Sequence, residues 1–152
     1  MRTISKCLSV VSIAIVAGLG VAQAADDPIK TRQAVMSSVG AAAGLGGGMM
    51  KGELDYTPAA GKAAIATMRA AAMTFGSYFP DGSTSGNTEA APAIWSDRAG
   101  FDAELAKFAM ATEKAVAASG KAGPADIDAF KAAFGPVLGT CKACHEGYRV
   151  KK

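Results

Sequence analysis

The segment Cys141-Lys142-Ala143-Cys144-His145 constrains this chain more than any other stretch, because it sets two thiols and an imidazole on one helical face. Positions i, i+3 and i+4 of an α-helix are neighbours, so both sulfurs and the ring of His145 reach one flat object lying against that face. A c-type haem needs those three groups: the thiols add to its vinyl groups as thioethers, and the imidazole binds its iron. Such a fold has to leave room for a large planar ligand beside its last helix. Two other readings use the same residues. A thioredoxin-like disulfide site also carries CxxC, but near the start of a helix that follows a strand, and no strand signal precedes Cys141. A structural zinc site takes four ligands, whereas this region offers two cysteines and the chain's single histidine. A second protein imidazole on the iron is excluded by the same count.

The N-terminus points to an oxidising, exported setting. Arg2 and Lys6 form a short positive region, Leu8 to Val21 is apolar and rich in small residues, and Ala22-Gln23-Ala24 is an A-x-A cleavage signature. Residues 1–24 are expected to be a secretory signal, removed on export to the periplasm. A membrane anchor is the competing reading, but the apolar stretch is shorter than the ~20 residues of a spanning helix, so no membrane span is expected after cleavage. Cys7 leaves with the signal, and the exported chain keeps only the two cysteines of the motif. Residues 25–152 suffice for one domain with one core. The formal net charge of +3 includes Arg2 and Lys6, so the exported domain is close to neutral and nothing suggests nucleic-acid binding. Arg149, Lys151 and Lys152 read as a solvated tail or as a docking rim for an acidic partner.

Capping signals divide residues 25–152 into four helical stretches. Asp27 with Pro28, and Thr57 with Pro58, are N-cap and first-position pairs; the first helix is expected to run to about Met50. Ile65, Met68, Ala72 and Phe75 fall at helical spacing on the second, before a break at Gly76 to Pro80. The third is expected to open after Trp95, with Ser96 or Asp97 as cap and Phe101, Leu105, Phe108 and Thr112 on one stripe. Gly123 and Pro124 separate it from the fourth, where Ile127, Phe130, Phe134 and Leu138 lead into the haem motif. Gly135-Pro136 and Gly139 are expected to kink or interrupt that helix. Helix formers dominate and alternating β-branched runs are missing. The expected fold is therefore all-α, an antiparallel four-helix bundle with the haem on the C-terminal helix. Residues 77–94 make a loop longer than ordinary connections, placed to cross an end of the bundle and cover part of the ligand. Gly40, Gly44 and Gly46 to Gly48 are odd inside the first helix, at about 1 kcal/mol each relative to alanine; they mark either a frayed stretch or a close approach to the porphyrin or a partner helix.

These residues resemble the class II cytochromes c, the cytochrome c′ family. The likeness rests on Arg32 and Met36 early in the first helix, the Lys51-Gly52-Glu53 turn with Tyr56, Pro92 to Trp95, and Cys141 to His145 followed by Tyr148-Arg149. The resemblance implies one covalently bound haem c and separates two chemistries by the side chain facing the open side of the iron. A non-coordinating group there leaves a five-coordinate, high-spin haem that binds small gases. In the cytochrome c-556 type a methionine ligates the iron and makes it six-coordinate and low-spin. The resemblance puts Met36 at that position, fifteen residues before the Lys-Gly-Glu turn as in the c-556 type.

Bundle geometry selects Met36 independently. With the last helix antiparallel to the first, His145 lies level with the first helix's opening turns, and Met36 stands about 12 Å along that axis against about 32 Å for Met49 and Met50. Met73 is the other methionine at a suitable height; Met68 and Met110 read as core filler. Arg32, one turn before Met36, is expected by resemblance to pair with a haem propionate, or else to be an exposed surface arginine. Arg149, one turn past His145, is expected to tune the iron electrostatically or to solvate the C-terminus. The favoured function is a periplasmic single-haem electron carrier with His145 and Met36 as axial ligands, working with periplasmic redox proteins and compatible with a homodimer. The alternative is a high-spin cytochrome c′ that binds nitric oxide or carbon monoxide. No catalytic dyad is visible, so an enzyme is not expected.

Overall fold

The computed structural model describes residues 27–150; the segment 1–24 expected to be a signal, and Lys151 and Lys152, lie outside them. Local chemistry sets each long helix. Asp27 Oδ1 accepts the N–H of Ile29 at 2.9 Å and of Lys30 at 3.3 Å to open α1 (Pro28–Lys51). Gly52 closes it in the left-handed region, at φ 76°, where only glycine is at ease. Thr57 Oγ1 accepts the Ala60 N–H at 3.1 Å and opens α2 (Pro58–Thr74), which tightens into a 3-10 turn over Phe75–Tyr78. One extra turn, α3 (Ala93–Ser96), starts on Pro92. Asp97 caps α4 (Arg98–Ser119) and Asp126 caps α5 (Ile127–Tyr148).

The four long helices form the expected bundle. α1 packs on α2, α2 on α4 and α4 on α5, while α1 meets α5 more thinly. Ile65, Met68, Phe130, Phe134 and Val137 form the heart of the main core. Phe75, Phe79, Ile94 and Phe101 make a second cluster at one end. There the Phe79 ring meets Phe75 and Phe101 edge-on, at 5.0 and 4.9 Å, the arrangement that ring quadrupoles favour.

Two local expectations are corrected. α5 runs unbroken through Gly135, Pro136 and Gly139. Phe134 and Val137, on either side of the proline, are fully buried, and their packing outweighs the ~3 kcal/mol penalty of an interior proline. Met110 is not core filler but 57% exposed. It falls off the Phe101–Leu105–Phe108–Thr112 stripe, and Thr112 takes the buried place instead.

The α1 glycines divide by surroundings. A Cβ at Gly46 would run into the Phe134 ring, whereas Gly44 has nothing within 4 Å. At Gly46, α1 thus leaves the space that the Phe134 ring of α5 fills. Gly46→Ala should destabilise the holoprotein by about 2 kcal/mol through overpacking, while Gly44→Ala should stabilise it by up to about 1 kcal/mol through helix propensity. Denaturant unfolding of the two variants checks this, and equal midpoints would show that the close approach is unimportant.

Candidate functional site

At the end where α1 begins and α5 finishes, the thin α1–α5 contact opens into a cavity of about 700 Å³. α5 contributes Cys141, Cys144, His145 and Tyr148 to its wall; α4 contributes Phe101, Leu105 and Phe108; α1 contributes Met36, Val39, Gly40 and Ala43. Thr88, Glu89 and Ala90 of the long loop close one side, as expected of a segment crossing the bundle end. The loop's covering role comes from its fastening at two places.

The first fastening is Arg32, which is only 4% exposed. Its Nη1 donates to the Tyr78 carbonyl at 3.2 Å and to Ser83 Oγ at 2.9 Å, and its Nη2 donates to the Ser83 carbonyl at 2.8 Å and to Thr88 Oγ1 at 3.1 Å. The guanidinium also lies over the Phe79 and Trp95 rings, at 4.9 and 5.7 Å. Burial pushes its pKa down and Asp27 pulls it back up. Arg32 is therefore no surface arginine, and both terminal nitrogens are engaged with the loop. No spacing rule connects an arginine on a helix to hydroxyls some fifty residues away, so sequence patterns carry no signal of this role.

The second fastening joins the loop to the end of α5. The Ala91 N–H donates to the Tyr148 carbonyl at 3.0 Å and the Val150 N–H donates to the Glu89 carbonyl at 2.8 Å, a single antiparallel bridge at Ala90 and Arg149. Arg149 donates from Nε and Nη2 to Glu89 Oε2, at 2.7 and 2.6 Å, so it is an ion-pair partner rather than a solvated tail. The Tyr148 hydroxyl donates to Asp97 Oδ2 at 2.8 Å, and this hydrogen bond raises its pKa to about 12. The phenol thus stays a donor at working pH and ties the end of α5 to the cap of α4.

Cys141 and Cys144 are free thiols, half-buried in the cavity wall. Burial pushes both up in pKa, and the Glu104 carboxylate adds to the rise at Cys144. Burial and then Arg149 push His145 down, against a smaller pull from Glu89, which favours the neutral imidazole that binds metals. Met36 is half-buried and packs against both apolar clusters. Among the described residues it is the methionine that lines the cavity, whereas Met73 is 68% exposed on the surface. Two thiols and an imidazole on one wall of a largely apolar cavity are a donor set that fits a haem c, with carbon-rich walls for the ring.

The sequence profile of the family described as Cytochrome C′ matches residues 27–149, nearly all of the described chain. The chain belongs to the cytochrome c′ family. It is 38% identical over 139 residues to a cytochrome c′ of Rhodopseudomonas palustris, covering 91% of this chain and 92% of that one. It is 35% identical over 124 residues to a cytochrome c-556 of Agrobacterium tumefaciens, covering 82% and 98%. Among solved structures, a mutant cytochrome c prime from Alcaligenes xylosoxidans in its nitric oxide complex superimposes with a TM-score of 0.71 at 34% identity, covering 83% and 95%. As a cytochrome c′ family member the chain is a monohaem c-type cytochrome carrying one covalently bound haem c.

Proposed function

We propose that this cytochrome c′ is a periplasmic protein that binds nitric oxide or carbon monoxide on the side of the haem that α1 covers. Cys141 and Cys144 would hold the haem as thioethers and His145 would bind its iron. When bound, the haem would supply an iron able to exchange one electron and to take a small ligand. The observation that carries the reading is the α1 wall. Of the α1 residues that line the cavity, Met36, Val39, Gly40 and Ala43 present only carbon, a thioether or backbone, the Arg32 guanidinium is spent on the loop, and the Gln33 amide donates to the Asn87 carbonyl at 2.7 Å. Such a surface suits a small uncharged ligand, which needs no hydrogen-bond partner on desolvation. The likeness to a cytochrome c′ at 38% identity and to a nitric oxide complex supports gas binding over the electron carrier favoured from sequence.

The electron-carrier reading keeps one specific support: the Met36 thioether stands in the same wall, and a cytochrome c-556 is among the relatives. In that reading Met36 is the sixth ligand, and Met/His ligation raises the reduction potential. Neither reading makes the protein a catalyst. Asp27, Asp97 and Asp126 are helix caps, and Glu89 and Glu113 sit in surface ion pairs. Its expected partners are periplasmic redox proteins or a second copy of the chain. The signal at 1–24 accounts for export, and among the described residues no helix is long and apolar enough to cross a membrane.

Carbon monoxide binding to ferrous wild type and Met36→Ala decides between the readings. Gas binding predicts a high-spin wild type whose binding rate lies within about threefold of the variant's, a barrier difference under about 1 kcal/mol. A low-spin wild type that Met36→Ala converts to high-spin, with at least about a tenfold faster rate, or 1.4 kcal/mol, would replace it with the electron carrier.

A further inference from the structure

We propose that Glu89 is a positioning residue for the haem: it holds the Arg149 guanidinium beside His145 and offsets its positive charge there. The inference rests on the proposed ligation by His145. The bridge pairs Ala90 with Arg149 and so sets Glu89 one residue from the position opposite it, with the backbone bonds of Ala91 and Val150 fixing the register. Two N–H groups of Arg149 then converge on one carboxylate oxygen, and Glu89, Arg149 and His145 all line the same cavity. The side chains are 41% and 52% exposed, a setting in which an ion pair adds little stability. What the pair does control is charge at that wall, since Arg149 follows His145 by four residues and both charges of the pair face the cavity that His145 lines. The neighbouring charges are already balanced: Glu104 by Lys107 on α4, and Glu146 by Lys142 on α5.

The sign of each substitution follows. In Glu89→Gln the Arg149 charge is uncompensated and disfavours the more positive ferric state, so the midpoint potential rises. In Arg149→Gln the Glu89 carboxylate is uncompensated and the potential falls. Each shift should be about threefold in the redox equilibrium constant, or about 30 mV at 59 mV per tenfold for one electron. The double variant should return near wild type, and Glu89→Asp, which keeps the charge, should stay near it. Both single shifts should shrink as ionic strength rises, since the pair is open to screening.

The experiment is redox titration of the holoproteins at low and high salt. Opposite shifts that cancel in the double variant bear the proposal out. Shifts of the same sign in both single variants would mean that the substitutions only loosen the loop and admit water, and would overturn it; so would unshifted potentials in holoproteins that keep the wild-type spectrum. Failure of the underlying ligation is read separately, from a His145→Ala variant whose haem spectrum matches wild type.

Discussion

Replacing both Cys141 and Cys144 by alanine should give a chain that loses its haem on acid-acetone extraction, while wild type keeps it through denaturing electrophoresis. Without the ligand, the same variant should be loosely packed. A cavity of about 700 Å³ lined by Phe75, Phe79, Phe101, Leu105 and Phe108 leaves a large apolar wall to water when the ring that should cover it is missing. The walls must therefore collapse or swell. Near-ultraviolet circular dichroism and thermal unfolding of the ligand-free variant check this: tertiary signal and cooperativity should fall while helical signal largely persists. A cooperative melt equal to that of wild type would show that the ligand is not part of the core, and full release of haem from wild type would remove the thioether assignment.

Arg32→Leu should cost the holoprotein about 3 kcal/mol, because it removes four charge-assisted hydrogen bonds to the loop at once, two of them buried. The carbonyls of Ser83, a residue only 7% exposed, and of Tyr78 lose the guanidinium as donor, while the Ser83 hydroxyl keeps the Pro80 carbonyl and Thr88 Oγ1 keeps the Ala90 N–H. Arg32→Lys should recover only part of the loss, since one ammonium cannot reproduce a planar fork that serves four acceptors. The contrasting substitution is Arg69→Ala. Arg69 pairs with Glu113 at 2.7 Å on the surface, and its loss should cost no more than about 0.5 kcal/mol. Denaturant midpoints of the three variants provide the comparison. An Arg32→Leu midpoint as mild as that of Arg69→Ala would show that the loop holds without its clamp.

Much of the bundle is legible in the sequence because its signals are local. Asp27-Pro28, Thr57-Pro58 and Asp97 each mark a helix start, Gly123 and Pro124 mark the break before α5, and the stripes of α2, α4 and α5 repeat at a fixed spacing. The Cys141, Cys144 and His145 face is legible for the same reason: three groups on one turn need no tertiary fold to meet. The clamp of Arg32 on Ser83 and Thr88, and the pairing of Glu89 with Arg149, join residues dozens of positions apart, where no periodicity links the partners. α5 continuing past Pro136 depends on burial of Phe134 and Val137 by other helices, which local propensity does not contain. Met110 is a different case, since the spacing of Phe108 and Thr112 already places it off the buried stripe.

The bridge between residues 89–91 and 148–150 carries a consequence for how the protein is made. The walls around Cys141 and Cys144 come from segments lying between Arg32 and Arg149, so they meet only when the far ends of the domain are brought together, a costly closure for a chain to complete. Once the bridge forms, the thiols stand half-buried behind the loop, hard for an attachment enzyme to grip. Maturation is therefore expected to have an order, with covalent loading first, on an open chain, and clasping of the helix end afterwards; loading of the folded apoprotein as fast as of the unfolded chain would show otherwise.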